Sequence, residues 1–133
     1  MNPEQRRWLC NRAISAAPYE ACGFVMENGD IIEIRNVAVN RMRQFRMDCQ
    51  EMVEKLIDRD DFITAVWHTH PGGNPNPSVK DLESISCGAI QRNWLYLIVT
   101  STGVHPYYPN NYVAEDLSGW HISDLSFWSR FTA

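Results

Sequence analysis

No part of this sequence stays apolar for long. Its longest uninterrupted apolar run, Trp94 to Val99, is six residues, where a membrane-spanning helix needs about twenty. The N-terminal arginines Arg6 and Arg7 are not followed by an apolar stretch, so no secretory signal is expected. A basic excess is missing as well: 12 Lys plus Arg against 16 Asp plus Glu leave a formal net charge of −4. That balance lacks the electrostatic footprint of a nucleic-acid binder or of a basic protein at a membrane surface. C-x-x-C pairs are absent too. The four cysteines, Cys10, Cys22, Cys49 and Cys87, are therefore expected as reduced, mostly buried thiols in a cytoplasmic protein. No tandem repeat or low-complexity tract is present.

What remains is the composition of an ordinary folded domain. At 133 residues, 44% hydrophobic and 21% charged, residues 1–133 are the size of a single domain with one core. A chain of this length buries roughly two thirds of its unfolded surface, enough to fold without disulfide staples. Residues 3–17 read as a helix, with Asn2 as cap, Pro3 in the first turn and Trp8, Leu9, Ala13, Ala16 and Ala17 on one face. Pro18 stops it by removing a donor and biasing Ala17 out of helical geometry. Cys22 to Glu27 and Asp30 to Arg35 read as a hairpin around a two-residue Asn28-Gly29 turn.

A second helix starts at Asp48, with Glu51 in capping-box position and Met52, Val53, Leu56 and Ile57 as its buried stripe. Phe62 to His68 is short, β-rich and apolar, a strand covered on both faces. Pro71 to Pro77 holds three prolines and two glycines in seven residues and cannot be regular structure. Ser78 caps a third helix with Val79, Leu82, Ile85, Ala89 and Ile90 at helical spacing. Trp94 to Ser101 is another buried strand, pairing with Val104 to Tyr108 across Thr102-Gly103. Helices and strands alternate, so the expected class is α/β, a mixed β-sheet with helices packed on it. Residues 110–133 are expected as a C-terminal extension of that domain.

The chemistry gathers at His68-Thr69-His70-Pro71 and, beyond the loop, Ser78-Val79-Lys80-Asp81. Side chains at i and i+2 of a strand point the same way, so His68 and His70 present two imidazoles to one point. Asp81 falls in the first turn of the next helix, which a loop of this length can fold back over the strand end. Two imidazoles and a carboxylate are good zinc ligands and leave a fourth position for water, the mark of a catalytic site. In such a site the water's pKa falls to about 7. Each piece alone has an ordinary reading: strand-end histidines that only hydrogen-bond, a serine cap, an acid favoured by the helix dipole. Together they fix five residues at set offsets, which at about one in twenty per position arises by chance about once in three million windows.

The run H-T-H-P-x6-S-x2-D resembles the signature of the JAMM family of zinc metalloproteases, the MPN family with an intact metal motif. Glu20, in Pro18-Tyr19-Glu20-Ala21-Cys22-Gly23-Phe24, is similar to that family's upstream glutamate in its E-x-C-G context. The resemblance covers residues 3–108 and implies a JAMM (cytidine deaminase-like) domain. It implies one zinc per chain on His68, His70 and Asp81, Glu20 as general acid/base, and Ser78 as a stabiliser of the tetrahedral oxyanion. Amide hydrolysis needs those roles: a nucleophile, charge stabilisation at the carbonyl oxygen and a proton for the departing amine. Thr69, between the ligands, faces the other side of the strand as packing or as a supporting hydrogen bond. Cys22 reads as a small buried neighbour in the strand.

Within the family the compact body, without a second Cys/His set, speaks against the specialised eukaryotic deubiquitinases. That compact body, with E-A-C-G-F followed by Phe45-Arg46-Met47-Asp48, is similar to the phage tail-assembly type, in a family that also includes prokaryotic enzymes that trim ubiquitin-like proteins. The expected substrate is accordingly the tail of a ubiquitin-like protein or a tail-assembly polypeptide, in bacterial or phage-infected host cytoplasm, with no nucleic-acid or membrane partner. Two rivals stand beside this reading: an inert metal-binding JAMM scaffold acting through protein interaction, and a Cys-His peptidase using Cys22. Trp120 to Phe131 carries six apolar residues that either pack on the domain or form a protein interface. His105 and His121 lack ligand spacing and read as structural.

Overall fold

The computed structural model describes residues 1–81 and 94–107. The third helix beyond Asp81, Cys87, His121 and the extension with Trp120 to Phe131 lie outside the described residues. Helix α1 (Pro3–Ala16) begins as expected: Asn2 accepts the Gln5 N–H, and Gln5 reaches back to the Asn2 N–H, both at 2.8 Å. It ends where Ala17 turns extended before Pro18. Leu9 and Ala13 are buried, but Trp8, expected inside, is 44% exposed. A helix lying on a sheet buries only a narrow stripe, and Trp8 sits at its margin, edge-on to Trp67 with ring centroids 6.1 Å apart.

The hairpin forms from β1 (Cys22–Met26) and β2 (Ile31–Ile34), antiparallel with Val25 opposite Ile31. Its turn is one residue longer than expected. Gly29 donates to the Met26 carbonyl and Met26 to the Asp30 carbonyl, each at 2.9 Å, with Gly29 at φ 97°. That is a tight turn followed by a left-handed glycine, the usual form of a three-residue hairpin loop. Strand β3 (Ile63–Thr69) pairs antiparallel with β1, and β4 (Leu95–Thr100) runs parallel to β3. Strand β5 (Gly103–Tyr107) returns antiparallel to β4, with Thr100 opposite Gly103, so the turn is Ser101-Thr102 rather than Thr102-Gly103. The result is the expected mixed sheet, in the order β2-β1-β3-β4-β5.

Alternation along the strands gives the sheet two apolar faces. Val25, Ala65, Trp67, Leu97 and Val99 face α1, with Leu9 and Ala13 against them. Phe24, Ile34, Val66 and Tyr96 face the other way, where helix α2 (Cys49–Leu56) adds Met52 and Leu56. Asp48 caps α2 by accepting from Gln50, yet the predicted stripe is only half realised. Val53 is 56% and Ile57 70% exposed, because α2 touches the sheet margin along a single edge. Glu51 completes no capping box; it accepts from the Arg35 N–H and pairs with Lys55 at 2.8 Å. Only Cys22 of the three described cysteines is buried, Cys10 being partly covered and Cys49 exposed. Among the described residues no helix is long and apolar enough to cross a membrane.

Candidate metal centre

Strand β3 brings its last residues to the carboxyl end of the sheet, beside the parallel neighbour β4. Open α/β sheets place their ligands at such strand ends. His68 alternates onto the α2 face, opposite Cys22 in the ladder. His70 follows just beyond the strand, its N–H held by the Val99 carbonyl at 2.8 Å. The Pro/Gly loop is irregular, as expected, and returns the chain so that a helical turn starts at Val79. Ser78 caps that turn reciprocally: its Oγ accepts the Asp81 N–H at 3.1 Å, and its own N–H donates to Asp81 Oδ2 at 2.8 Å. The capping reading of Ser78 and Asp81 is therefore real, and the cap itself aims the carboxylate at the imidazoles. Asp81 Oδ2 lies 3.2 Å from His68 Nε2 and 3.1 Å from His70 Nε2, and those two nitrogens are 2.9 Å apart. Three potential ligand atoms thus meet at one place.

The donor chemistry of this cluster fits a cation. His70 Nδ1 is 2.8 Å from the Asn74 carbonyl oxygen. A carbonyl only accepts, so Nδ1 carries the proton and Nε2 of neutral His70 turns a lone pair toward Asp81. A histidine whose far nitrogen donates to a backbone carbonyl is the orientation metal ligands use. A lone pair of neutral His70 facing the Asp81 carboxylate is unfavourable unless a proton or a cation stands between them. Accordingly, burial opposes charge on His70, but its hydrogen bonds to Asp81 and the Asn74 carbonyl outweigh that and push its pKa up. Burial keeps His68 low and therefore neutral. Burial also works against the Asp81 anion, yet the His68 and His70 hydrogen bonds hold its carboxyl well below the usual range. The ligand set suits zinc or a similar divalent ion.

Glu20 is 7% exposed and lines the same cleft, of about 420 Å3, as His70 and Ser78. Burial raises its pKa to about 7, with His70 pulling it down and Asp81 pushing it further up. Its Oε1 is buried with no hydrogen-bond partner among the described residues, a second sign of a group aimed at something that binds there. Thr69 does face the opposite side of the strand: its Oγ1 accepts from the Ala21 N–H at 2.9 Å, and its N–H donates to the Ala21 carbonyl at 2.9 Å. The residue between the two histidines thereby tethers the segment carrying Glu20. His105 Nε2 lies 3.2 Å from Thr100 Oγ1 on the neighbouring hairpin.

Cys22 sits across the ladder from His68, as a Cys-His reading would require. Its S–H, however, donates to the Ile34 carbonyl at 3.3 Å, and burial, with Glu33 and Glu20 adding, pushes its pKa to about 12. A thiol so placed is no nucleophile at neutral pH. Two contributors were given no role at the site by their spacing. Phe45 stacks on His68 with centroids 4.6 Å apart, covering the buried imidazole. Asn36 reaches the Glu20 carbonyl at 2.9 Å from the end of β2.

The family described as prokaryotic homologs of the JAB domain matches residues 5–114, and the chain belongs to it. It is 27% identical to "Desampylase" of Pyrococcus furiosus over 100 residues, 69% of this chain and 67% of that one. It is 34% identical to a "UPF0758 protein" of Alkaliphilus oremlandii over 53 residues, 40% of this chain but only 23% of that protein. The solution structure of protein DSY2949 from Desulfitobacterium hafniense shares the fold, with TM-score 0.57 at 20% identity over 81% of this chain and 88% of that one.

Proposed function

We propose that this chain is a zinc-dependent peptidase or isopeptidase, a single JAMM domain that hydrolyses an amide at the extended C-terminal tail of a ubiquitin-like protein. The observation carrying this is the meeting of His68 Nε2, His70 Nε2 and Asp81 Oδ2 within 3.2 Å of one another, in a cleft that Glu20 also lines. Membership of the JAB-domain family supports a metal-dependent hydrolase. The likeness to a protein named Desampylase supports a protein tail as substrate over a tail-assembly polypeptide. An extended tail suits the cleft, since it loses no internal structure on binding. The three described cysteines, Cys10, Cys22 and Cys49, are free thiols, which supports a reducing compartment such as the cytoplasm.

His68, His70 and Asp81 would hold the ion, which when bound supplies an acidified water and polarises the scissile carbonyl. Glu20 takes a proton from the attacking water and delivers it to the departing amine. Burial raises that carboxyl to about 7 in the metal-free chain and a bound cation would lower it, so the anion that accepts the water's proton is available at neutral pH. Ser78 commits an oxygen lone pair to the Asp81 N–H, which leaves its O–H free to donate to the carbonyl oxygen as negative charge develops there.

The test is a fluorogenic amide at the C terminus of a ubiquitin-like protein. One zinc per chain and chelator-sensitive cleavage are expected. Glu20→Gln should retain the zinc and lose at least about a hundredfold in turnover. Asp81→Ala should lose the zinc; full zinc content in that variant would overturn the ligand assignment. A zinc-loaded chain with no turnover on any protein tail would favour the inert scaffold.

A further inference from the structure

Glu20 stands outside regular structure, between α1 and β1, so no helix or ladder orients it. Its Oε1 meets no partner among the described residues, so the carboxylate takes its aim from the backbone beneath it. That backbone is held on two sides. Toward β3, Ala21 is tethered by Thr69. Toward the 37–47 loop, the Glu20 N–H donates to the Arg41 carbonyl at 2.7 Å, and its carbonyl accepts from Asn36 Nδ2 at 2.9 Å.

The Asn36 amide is the centre of that second attachment. Nδ2 also donates to the Gln44 carbonyl at 2.9 Å, and Oδ1 accepts the N–H groups of Ala38 and Arg46, each at 3.0 Å. Two donors and two lone pairs are the full capacity of a carboxamide, and all four are used. Asp would set an acceptor against two carbonyls, Ser has one donor, and Gln is a methylene longer. The loop it organises is the one whose Phe45 stacks on His68 and whose Met42 and Arg43 line the cleft.

We propose that Asn36 is the positioning residue for Glu20: its amide joins the Glu20 backbone and the 37–47 loop into one unit that sets where the carboxylate lies in the cleft. This rests on the acid/base role given to Glu20 above. A displacement of about 1 Å in a group that must meet a proton in line can cost about a hundredfold in rate, whereas the ligand triad makes no hydrogen bond to Asn36 and should bind metal as before.

The test is a cycle of Asn36→Asp, Glu20→Gln and the double variant, assayed on the same fluorogenic amide, with zinc affinity measured by chelator competition. Asn36→Asp should lower kcat at least about tenfold, leaving KM and zinc affinity within about twofold. In the Glu20→Gln background the same change should add less than about a twofold loss, because the group being positioned is already gone. Additive losses, or a loss confined to KM or zinc affinity, would overturn the proposal. Full turnover in Glu20→Gln alone would instead overturn the acid/base reading. Amide hydrogen exchange gives a readout without activity and without a variant that must fold. In the metal-free wild type, the Glu20, Ala38 and Arg46 amides should open together and slowly; independent or fast exchange of these three would overturn the clamp.

Discussion

Glu20 and Cys22, two residues apart, show how burial assigns opposite fates to groups that titrate. The Glu20 carboxyl rises from 4.5 to about 7, so between those values this group binds more protons in the folded metal-free chain than in the unfolded one. Its contribution to stability must then fall as pH rises through that window. Urea melts of the metal-free protein from pH 4.5 to 7.5 should show that contribution as the difference in slope between the wild type and Glu20→Gln, the wild type losing more stability as pH rises. A slope identical in both proteins would deny the raised value. For Cys22, pushed to about 12 and buried, the expectation is silence: iodoacetamide at pH 8 should label exposed Cys49 in the native protein and reach Cys22 only on unfolding. Peptide mapping reads both sites. Native labelling of Cys22 at the rate of Cys49 would reopen the Cys-His mechanism.

At the scale of elements, β1 explains its own glycine. A Cβ on Gly23 would collide with the carbonyl oxygen of Ile32 and lie 2.9 Å from Trp67 Cζ2. The hairpin and the Trp67 ring close over that spot, so Gly23→Ala should cost about 2–3 kcal/mol by overpacking and loosen the strand that begins just after Glu20. Helix α1 is anchored by Leu9, which is fully buried; Leu9→Ala should cost about 2–5 kcal/mol. By contrast, Val53→Ala on the exposed side of α2 should stay within about 0.5 kcal/mol. Equal midpoint shifts for Leu9→Ala and Val53→Ala in urea would contradict the way the two helices are seated.

For the whole molecule, the candidate metal centre joins segments far apart in sequence. His68 lies near the end of β3 and His70 just beyond it, Asp81 follows the loop, and Glu20 precedes β1, so an ion bound only by the folded state must stabilise the fold by mass action. Free zinc at about a hundred times Kd should add about 2.7 kcal/mol to unfolding, seen as a rise in Tm that a chelator reverses. Asp81→Ala should show no such rise. An equal rise in that variant would place the ion elsewhere.

Much of this was legible in order along the chain. The Asn2 cap, the Pro18 stop, the hairpin, the Pro/Gly loop and the alternation that sets His68 and His70 on one side are local properties, decided by backbone chemistry within a few residues. Spacing alone brought out His68, His70, Ser78 and Asp81 because strand and cap geometry are themselves short-range. Trp8, Val53 and Ile57 defied their periodicity because exposure depends on what an element packs against, which lies elsewhere in the chain. The same holds for Asn36 and Phe45: no spacing marks either as part of the site, and both matter only where the loop folds back on Glu20 and His68. The residue types and their local spacing set which groups could bind a cation and move a proton. Only the tertiary structure decided which of them share one cleft and which protons they hold, because desolvation and facing lone pairs arise from contacts between distant segments.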